Sequence, residues 1–191
     1  MRRSAIWLML VAIALVSAAA WWHYNHLYHF AVVQDGVLYR DGNHSAAEIE
    51  AAIHRAQPKT VVSLVDDDEF AKPQFQAEAE YCQTHGIDLV RIPIKLGGWP
   101  TGDQVREFLS VVSDRACQPV LVHCAQGVRR TGMMVAAYQE SILGYDAGKA
   151  RAAILSFGHS ERAIGDVKKF VEVYDAKARR LTTMPTATGT E

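Results

Sequence analysis

Cys124, Arg130 and Thr131 close a short stretch, Val120-Leu121-Val122-His123-Cys124-Ala125-Gln126-Gly127-Val128-Arg129-Arg130-Thr131-Gly132, in which five residues separate the cysteine from Arg130. A β-branched run leads into Cys124, and an apolar-rich stretch from Met133 to Leu143 reads as a helix. Strand, tight loop and helix form the geometry in which backbone N–H groups and a helix N-terminus converge on an anion. A thiol at the mouth of that loop sits in a positive field that lowers its pKa. If the anion is a phosphate ester, each residue type has a task. Cys124 as thiolate attacks phosphorus and carries a covalent intermediate. The planar fork of Arg130 binds two phosphoryl oxygens at once, which a lysine cannot do. Gly127 opens a backbone conformation closed to other residues. Thr131 caps free N–H groups and hydrogen-bonds the Cys124 sulfur. The loop Ala125, Gln126, Gly127, Val128, Arg129 and Arg130 is expected to hold phosphate, with His123 supporting its shape. Arg129 adds a second charge beside the site, although an exposed arginine is the default reading.

The string HCAQGVRRT resembles the signature of the protein tyrosine and dual-specificity phosphatase superfamily: His-Cys, five residues, Arg, then Ser or Thr. Weaker matches extend the resemblance toward a bacterial, fungal and plant dual-specificity-like branch. They are Val37-Leu38-Tyr39-Arg40, Val61-Val62-Ser63-Leu64, Ile92-Pro93-Ile94, Pro119 to Cys124, and Phe157-Gly158, together covering roughly residues 30 to 160. The resemblance implies a phosphomonoester hydrolase using phosphocysteine, on phosphotyrosine, phosphoprotein or another small phosphoester, with no metal and no cofactor. It also implies an aspartic acid on a loop after the strand ending at Ile94, to protonate the leaving group. The family places that acid where this chain has Leu96 and Gly97, and Trp99-Pro100 is followed by Thr101. Three other carboxylates are candidates. Asp67 and Asp68 lie in the acidic run Asp66 to Glu69, whose alternative is a solvated turn. Asp103 lies in the first turn of a capped helix, where a carboxylate is favourable anyway. If no side chain serves, an acidic leaving group is required, as in aryl phosphates or inositol pyrophosphates. The missing acid also keeps open a membrane-anchored phosphate-binding pseudophosphatase.

The elements positioning this site follow from pattern and caps. Phe30 to Arg40 reads as two strands joined at Asp35-Gly36. Ser45, with Glu48 three residues on, opens a helix to about Arg55. Thr60 to Val65 is a near-continuous apolar strand, Pro73 to His85 a helix stopped by Gly86, and Ile87 to Ile94 another strand. Thr101, with Gln104, caps a helix to about Ala116. Helices are also expected over Asp146 to Phe157 and Ile164 to Leu181. Alternating strands and helices predict an α/β fold with a mainly parallel central sheet flanked by helices, carrying ligand beyond the strands' carboxyl ends.

With 191 residues and a formal net charge of −1, the chain suits one domain and has no field calling for nucleic acid. Cys82 and Cys117 read as buried apolar residues, with a reversible disulfide to Cys124, or a redox-thiol function, as the alternative. Arg2 and Arg3 precede the uncharged run Ile6 to Ala20, and Trp21, Trp22 and Tyr24 follow. These are the parts of a membrane anchor over residues 6–22, with the domain on the extracytoplasmic, periplasmic side; Ala18-Ala19-Ala20 keeps signal cleavage and secretion open. His23, His26 and His29 at three-residue spacing read as a linker rather than a metal site. The expected organisation is residues 1–29 anchor and linker, 30–181 catalytic domain, and 182–191 a disordered tail.

Overall fold

The computed structural model describes residues 7, 9–18, 27, 29–42, 45–157, 159–160, 162–177 and 180–181. Helix α1 (residues 9–18) comes first. Strands β1 (Ala31–Gln34) and β2 (Leu38–Gly42) then form an antiparallel hairpin. Its turn needs the left-handed backbone of Gly36, at φ 68°. The Tyr39 hydroxyl closes the turn, accepting from the Gly36 N–H at 3.0 Å and donating to the Asp35 carboxylate at 2.9 Å. After α2 (Ala46–Ala56) come β3 (Thr60–Ser63), the single turn α3 (Asp67–Phe70), α4 (Pro73–His85), β4 (Asp88–Arg91), α5 (Gly102–Ser113), β5 (Val120–Cys124) and α6 (Arg129–Ser141). The chain continues through α7 (Ala147–Ser156) and α8 (Gly165–Val173), then the short pair β6 (Tyr174–Asp175) and β7 (Arg180–Leu181).

The main sheet runs β1-β2-β5-β3-β4, with β2, β5, β3 and β4 parallel. Strand β5 is therefore flanked on both edges, and all of its residues are buried. Side chains alternate across a sheet. Val61 and Leu121 accordingly face α2 and α4, packing with Ile49, Ile53 and Cys82. Val62, Val120 and Val122 face the opposite layer, packing with Phe108 of α5, Met134 of α6 and Phe170 of α8. Each fully buried Val, Leu, Ile or Phe contributes about 1.5–3 kcal/mol. These two layers fix the end of β5, and with it Cys124.

The expected mainly parallel α/β sheet is present, and the Thr101–Gln104 capping box that starts α5 is formed in both directions. One expectation is corrected. The helix expected to reach Leu181 stops at Val173, because Tyr174 turns extended (ψ 121°). There it stacks on Phe170 at 5.2 Å and its hydroxyl meets Ser141 Oγ at 2.7 Å. The membrane span expected over residues 6–22 is helical at 7 and 9–18, and among the described residues no helix is long and apolar enough to cross a membrane. Ile6, Leu8 and Ala19 to Trp22 lie outside the described residues, as do His23, His26, Gly158 and the expected tail 182–191.

Candidate active site

The turn between β5 and α6 is short because α6 begins at Arg129, four residues earlier than the apolar pattern suggests. Cys124 ends β5, 2 % exposed. Burial alone would push its thiol up. The Thr131 hydroxyl, the Arg130 charge and the N–H groups of Thr131 and Gln126 outweigh burial and hold it below the ordinary thiol range. Gly127 has φ 66°, and a Cβ there would collide with the Asp41 carbonyl on β2. Only glycine lets this loop lie flat against the neighbouring strand.

Arg130 is fixed by α3. Glu69 accepts from both of its terminal nitrogens: Oε2 from Nη1, and Oε1 from Nη2 at 3.1 Å. Nη1 also donates to the Ile94 carbonyl at 3.1 Å and the Leu64 carbonyl at 3.4 Å. Among the described residues these bonds occupy the outer end of the guanidinium and leave the Nε–Nη2 edge, a two-donor fork of the kind that grips an oxyanion. Glu69 stands where it does because Asp66 caps α3, accepting from the Glu69 N–H at 2.9 Å. The other Asp66 oxygen accepts from the Leu96 N–H at 2.8 Å, tying α3 to the loop after β4.

Behind the loop, His123 Nε2 and Glu78 Oε1 lie 2.5 Å apart, both side chains fully buried. Burial would push the imidazole down, but the Glu78 carboxylate, assisted by Asp41 and Cys124, holds it above its usual value. Asp41 is raised as well, by burial itself, which pushes its carboxyl up to about 8 against the pull of His123 and the Gly42 N–H. His123 is thus braced from α4, with Phe75 stacked at 6.4 Å.

Cys124, Ala125, Gln126, Arg129 and Arg130 line a cavity of about 360 Å³ whose far wall is Glu69, Lys72, Leu96 and Gly97. A neighbouring cavity of about 520 Å³ shares Glu69, Lys72 and Leu96, and adds Asp66, Asp67, Asp68 and Lys95. Of the acid candidates, Asp67 is paired with Arg91 at 2.6 Å and Asp103 is paired with Arg106, one turn along α5. Asp68 is on the wall of the neighbouring cavity. The Arg129 side chain reaches the Asp166 carboxylate at 2.6 Å and the Gly97 carbonyl, so its charge is already engaged.

A family model described as "DSP-PTPase phosphatase fused to NAD+ Kinase" matches residues 31–180. The chain belongs to this family. Within it, the chain is 31% identical over 152 residues to "Dual specificity protein phosphatase TpbA" of Pseudomonas aeruginosa, covering 75% of this chain and 62% of that protein. It is 33% identical over 111 residues to "Inositol diphosphatase DSP1" of Oryza sativa, covering 56% of this chain and 47% of that protein. The chain therefore spans less than two thirds of the length of either relative. The fold is that of the catalytic core of the S. cerevisiae PP-IP phosphatase SIW14, with a TM-score of 0.65 at 21% identity, over 77% of this chain and 85% of that one.

In this member of the family, three buried carboxylates escape the sequence reading: Glu69, Glu78 and, near the end of β2, Asp41. Glu69 closes an acidic run that looks solvated, and Glu78 sits in an α4 pattern of mixed polarity. A signal existed for the first: a buried arginine needs a carboxylate, and the acidic run follows a strand adjacent to β5. All three cysteines are free, and burial, with the Glu78 charge, pushes Cys82 up to about 12.

Proposed function

We propose that the chain is a phosphomonoester hydrolase working through a phosphocysteine intermediate. The observation that carries this is the buried Cys124 at the end of β5, its thiol held below the ordinary range, lining one cavity with an Arg130 that Glu69 grips by both terminal nitrogens. The Cys124 sulfur bonds to phosphorus as the ester oxygen leaves. Arg130 and the loop amides carry the charge on the equatorial oxygens, as preorganised donors do at developing oxyanions. Water then cleaves the phosphorus–sulfur bond and returns the thiolate. No step calls on a metal.

Asp68 is the carboxyl best placed to protonate the leaving oxygen, because Asp67 and Asp103 are held in ion pairs while Asp68 faces the adjoining cavity. A positioned acid contributes about 10²–10⁴-fold. Asp68→Asn is expected to cost turnover on alkyl phosphoesters while sparing para-nitrophenyl phosphate, whose leaving group needs little protonation. Equal losses on both substrates would remove Asp68 from the role.

For the substrate, phosphotyrosine or phosphoprotein is the first reading, in line with the relative named a dual specificity protein phosphatase. An inositol pyrophosphate is the second. It is favoured by Lys72 and Lys95 beside the catalytic cavity and by a relative named an inositol diphosphatase. Phosphate release from para-nitrophenyl phosphate, a phosphotyrosine peptide and an inositol pyrophosphate separates these readings. A phosphate-binding pseudophosphatase would give no release from any of them above a Cys124→Ser control.

Residues 6–22 remain our proposed anchor, placing the domain on the extracytoplasmic side, with signal cleavage and release as the alternative. The helical apolar residues Leu15 and Val16 are 66% and 69% exposed. Full-length chain is expected in the membrane fraction, and a chain lacking residues 1–22 in the soluble one. N-terminal sequencing that begins after Ala20 would establish cleavage instead.

A further inference from the structure

The inward face of the Cys124 loop binds its anion; the outward face is also held, by groups that line neither cavity. His29 Nδ1 lies 2.7 Å from the Gln126 carbonyl. A carbonyl only accepts, so that nitrogen carries the hydrogen. On the next peptide, Arg40 Nη2 donates to the Gly127 carbonyl. The same Nη2 lies 2.7 Å from His159 Nε2, and His159 meets His29 edge-on with ring centroids 4.6 Å apart. Arginine has no acceptor, so His159 Nε2 must be unprotonated and accepting. That agrees with burial, together with the charges of Arg40 and His29, pushing His159 down to about 4. Phe157 covers the outer face of Arg40, 4.7 Å from its ring centre.

The consequence follows from the peptide unit. In a planar trans peptide the carbonyl and the following N–H point in opposite directions. Holding the Gln126 carbonyl outward therefore aims the Gly127 N–H inward, and holding the Gly127 carbonyl outward aims the Val128 N–H inward. These are the amides an oxyanion in the cradle would meet.

His29 pays a conformational penalty to be there. It has φ 56°, a left-handed backbone that side-chain-bearing residues adopt only when their surroundings impose it. The surroundings do impose it. The Phe30 N–H donates to the Leu27 carbonyl at 3.2 Å, Phe30 stacks on Tyr39 at 6.1 Å, and Arg55 lies over the Phe30 ring at 5.2 Å.

We infer that His29, ahead of the first strand, is a positioning residue for the catalytic loop: its hydrogen bond to the Gln126 carbonyl, closed into a circuit by His159 and Arg40, sets the amides that hold phosphate. His29 thus acts on the catalytic loop from ahead of β1. This inference rests on the proposed phosphatase reading for its kinetic effect, but not for its effect on the thiol.

The test compares His29→Ala, His29→Gly and His29→Asn in the full chain. Glycine keeps the left-handed backbone without a donor. Asparagine tolerates that backbone and restores an N–H near the position of Nδ1. Two quantities are read: kcat/KM on para-nitrophenyl phosphate, and the pH midpoint of Cys124 alkylation by iodoacetamide, with Cys124→Ser as the blank. Alanine and glycine are expected to lower kcat/KM about tenfold, the scale of one lost hydrogen bond. They should also raise the alkylation midpoint, because Gln126, whose carbonyl loses its anchor, carries one of the N–H groups that hold the sulfur. Asparagine should recover most of both. Glycine carries the comparison if alanine costs folding in a thermal melt. An unmoved midpoint in the glycine variant, or an asparagine variant no better than glycine at equal melting temperature, would overturn the inference. A wild-type chain that releases no phosphate would instead defeat the enzymatic reading, and the alkylation midpoints would still decide on His29.

Discussion

Cys124→Ser is expected to abolish phosphate release, by on the order of 10⁴–10⁶-fold in kcat, the scale on which removal of a covalent nucleophile is felt. The substitution keeps nearly the same volume at a position that is 2 % exposed, so the fold and the cradle should persist. The chemistry changes, because a serine hydroxyl stays protonated near neutral pH. The donors that poise the sulfur, the Thr131 hydroxyl and the N–H groups of Thr131 and Gln126, are arranged for a thiolate. The variant should therefore still bind inorganic phosphate or a phosphotyrosine peptide while failing to turn one over. Steady-state assays paired with calorimetry read this directly. Loss of binding together with turnover would mean that the substitution had collapsed the loop.

The second large effect is expected at Glu69. Its carboxylate and the Arg130 guanidinium are 7% and 6% exposed, so the pair lies almost out of water. Removing one member of such a pair leaves an uncompensated buried charge, at about 3–5 kcal/mol. Glu69→Ala should therefore lower the thermal midpoint markedly. It should also cost kcat on the order of 10²-fold or more, because Arg130 loses the partner that holds its guanidinium in place. Glu69→Gln keeps one oxygen acceptor and should fall between alanine and wild type in both measurements. Arg130→Lys should be worse in kcat, on the order of 10³-fold, since an ammonium cannot offer a planar fork. Should Glu69→Ala melt early yet keep wild-type kcat, Glu69 would be a structural partner with no role in orienting the guanidinium.

What could be read without coordinates was whatever local pattern dictates. The β-branched run into Cys124, the Asp35-Gly36 turn and the Thr101–Gln104 box each specify their own geometry within a few residues. The order of these elements carries the parallel sheet and places Cys124 at a strand's carboxyl end. Partners brought together across the sheet were not legible. Glu69 reaches Arg130 from 61 positions away, Arg40 reaches the loop from 87, and His29 from 97. The composition around Arg40 and His29 does not mark them. Glu69 sits in an acidic run of the kind solvated turns also carry, and His29 in a histidine-rich stretch. The end of α8 failed for a different reason. Its helical periodicity continues past Val173, but Tyr174 gains more by stacking on Phe170 and bonding Ser141 than by another helical residue.

The most direct test of the account is rapid quenching of wild-type enzyme with a good phosphoester substrate, followed by mass spectrometry of its peptides. The account predicts a phosphoryl adduct on Cys124 that accumulates within the first turnover and is absent from Cys124→Ser. Turnover with no adduct at Cys124, or turnover that survives in Cys124→Ser, would contradict it.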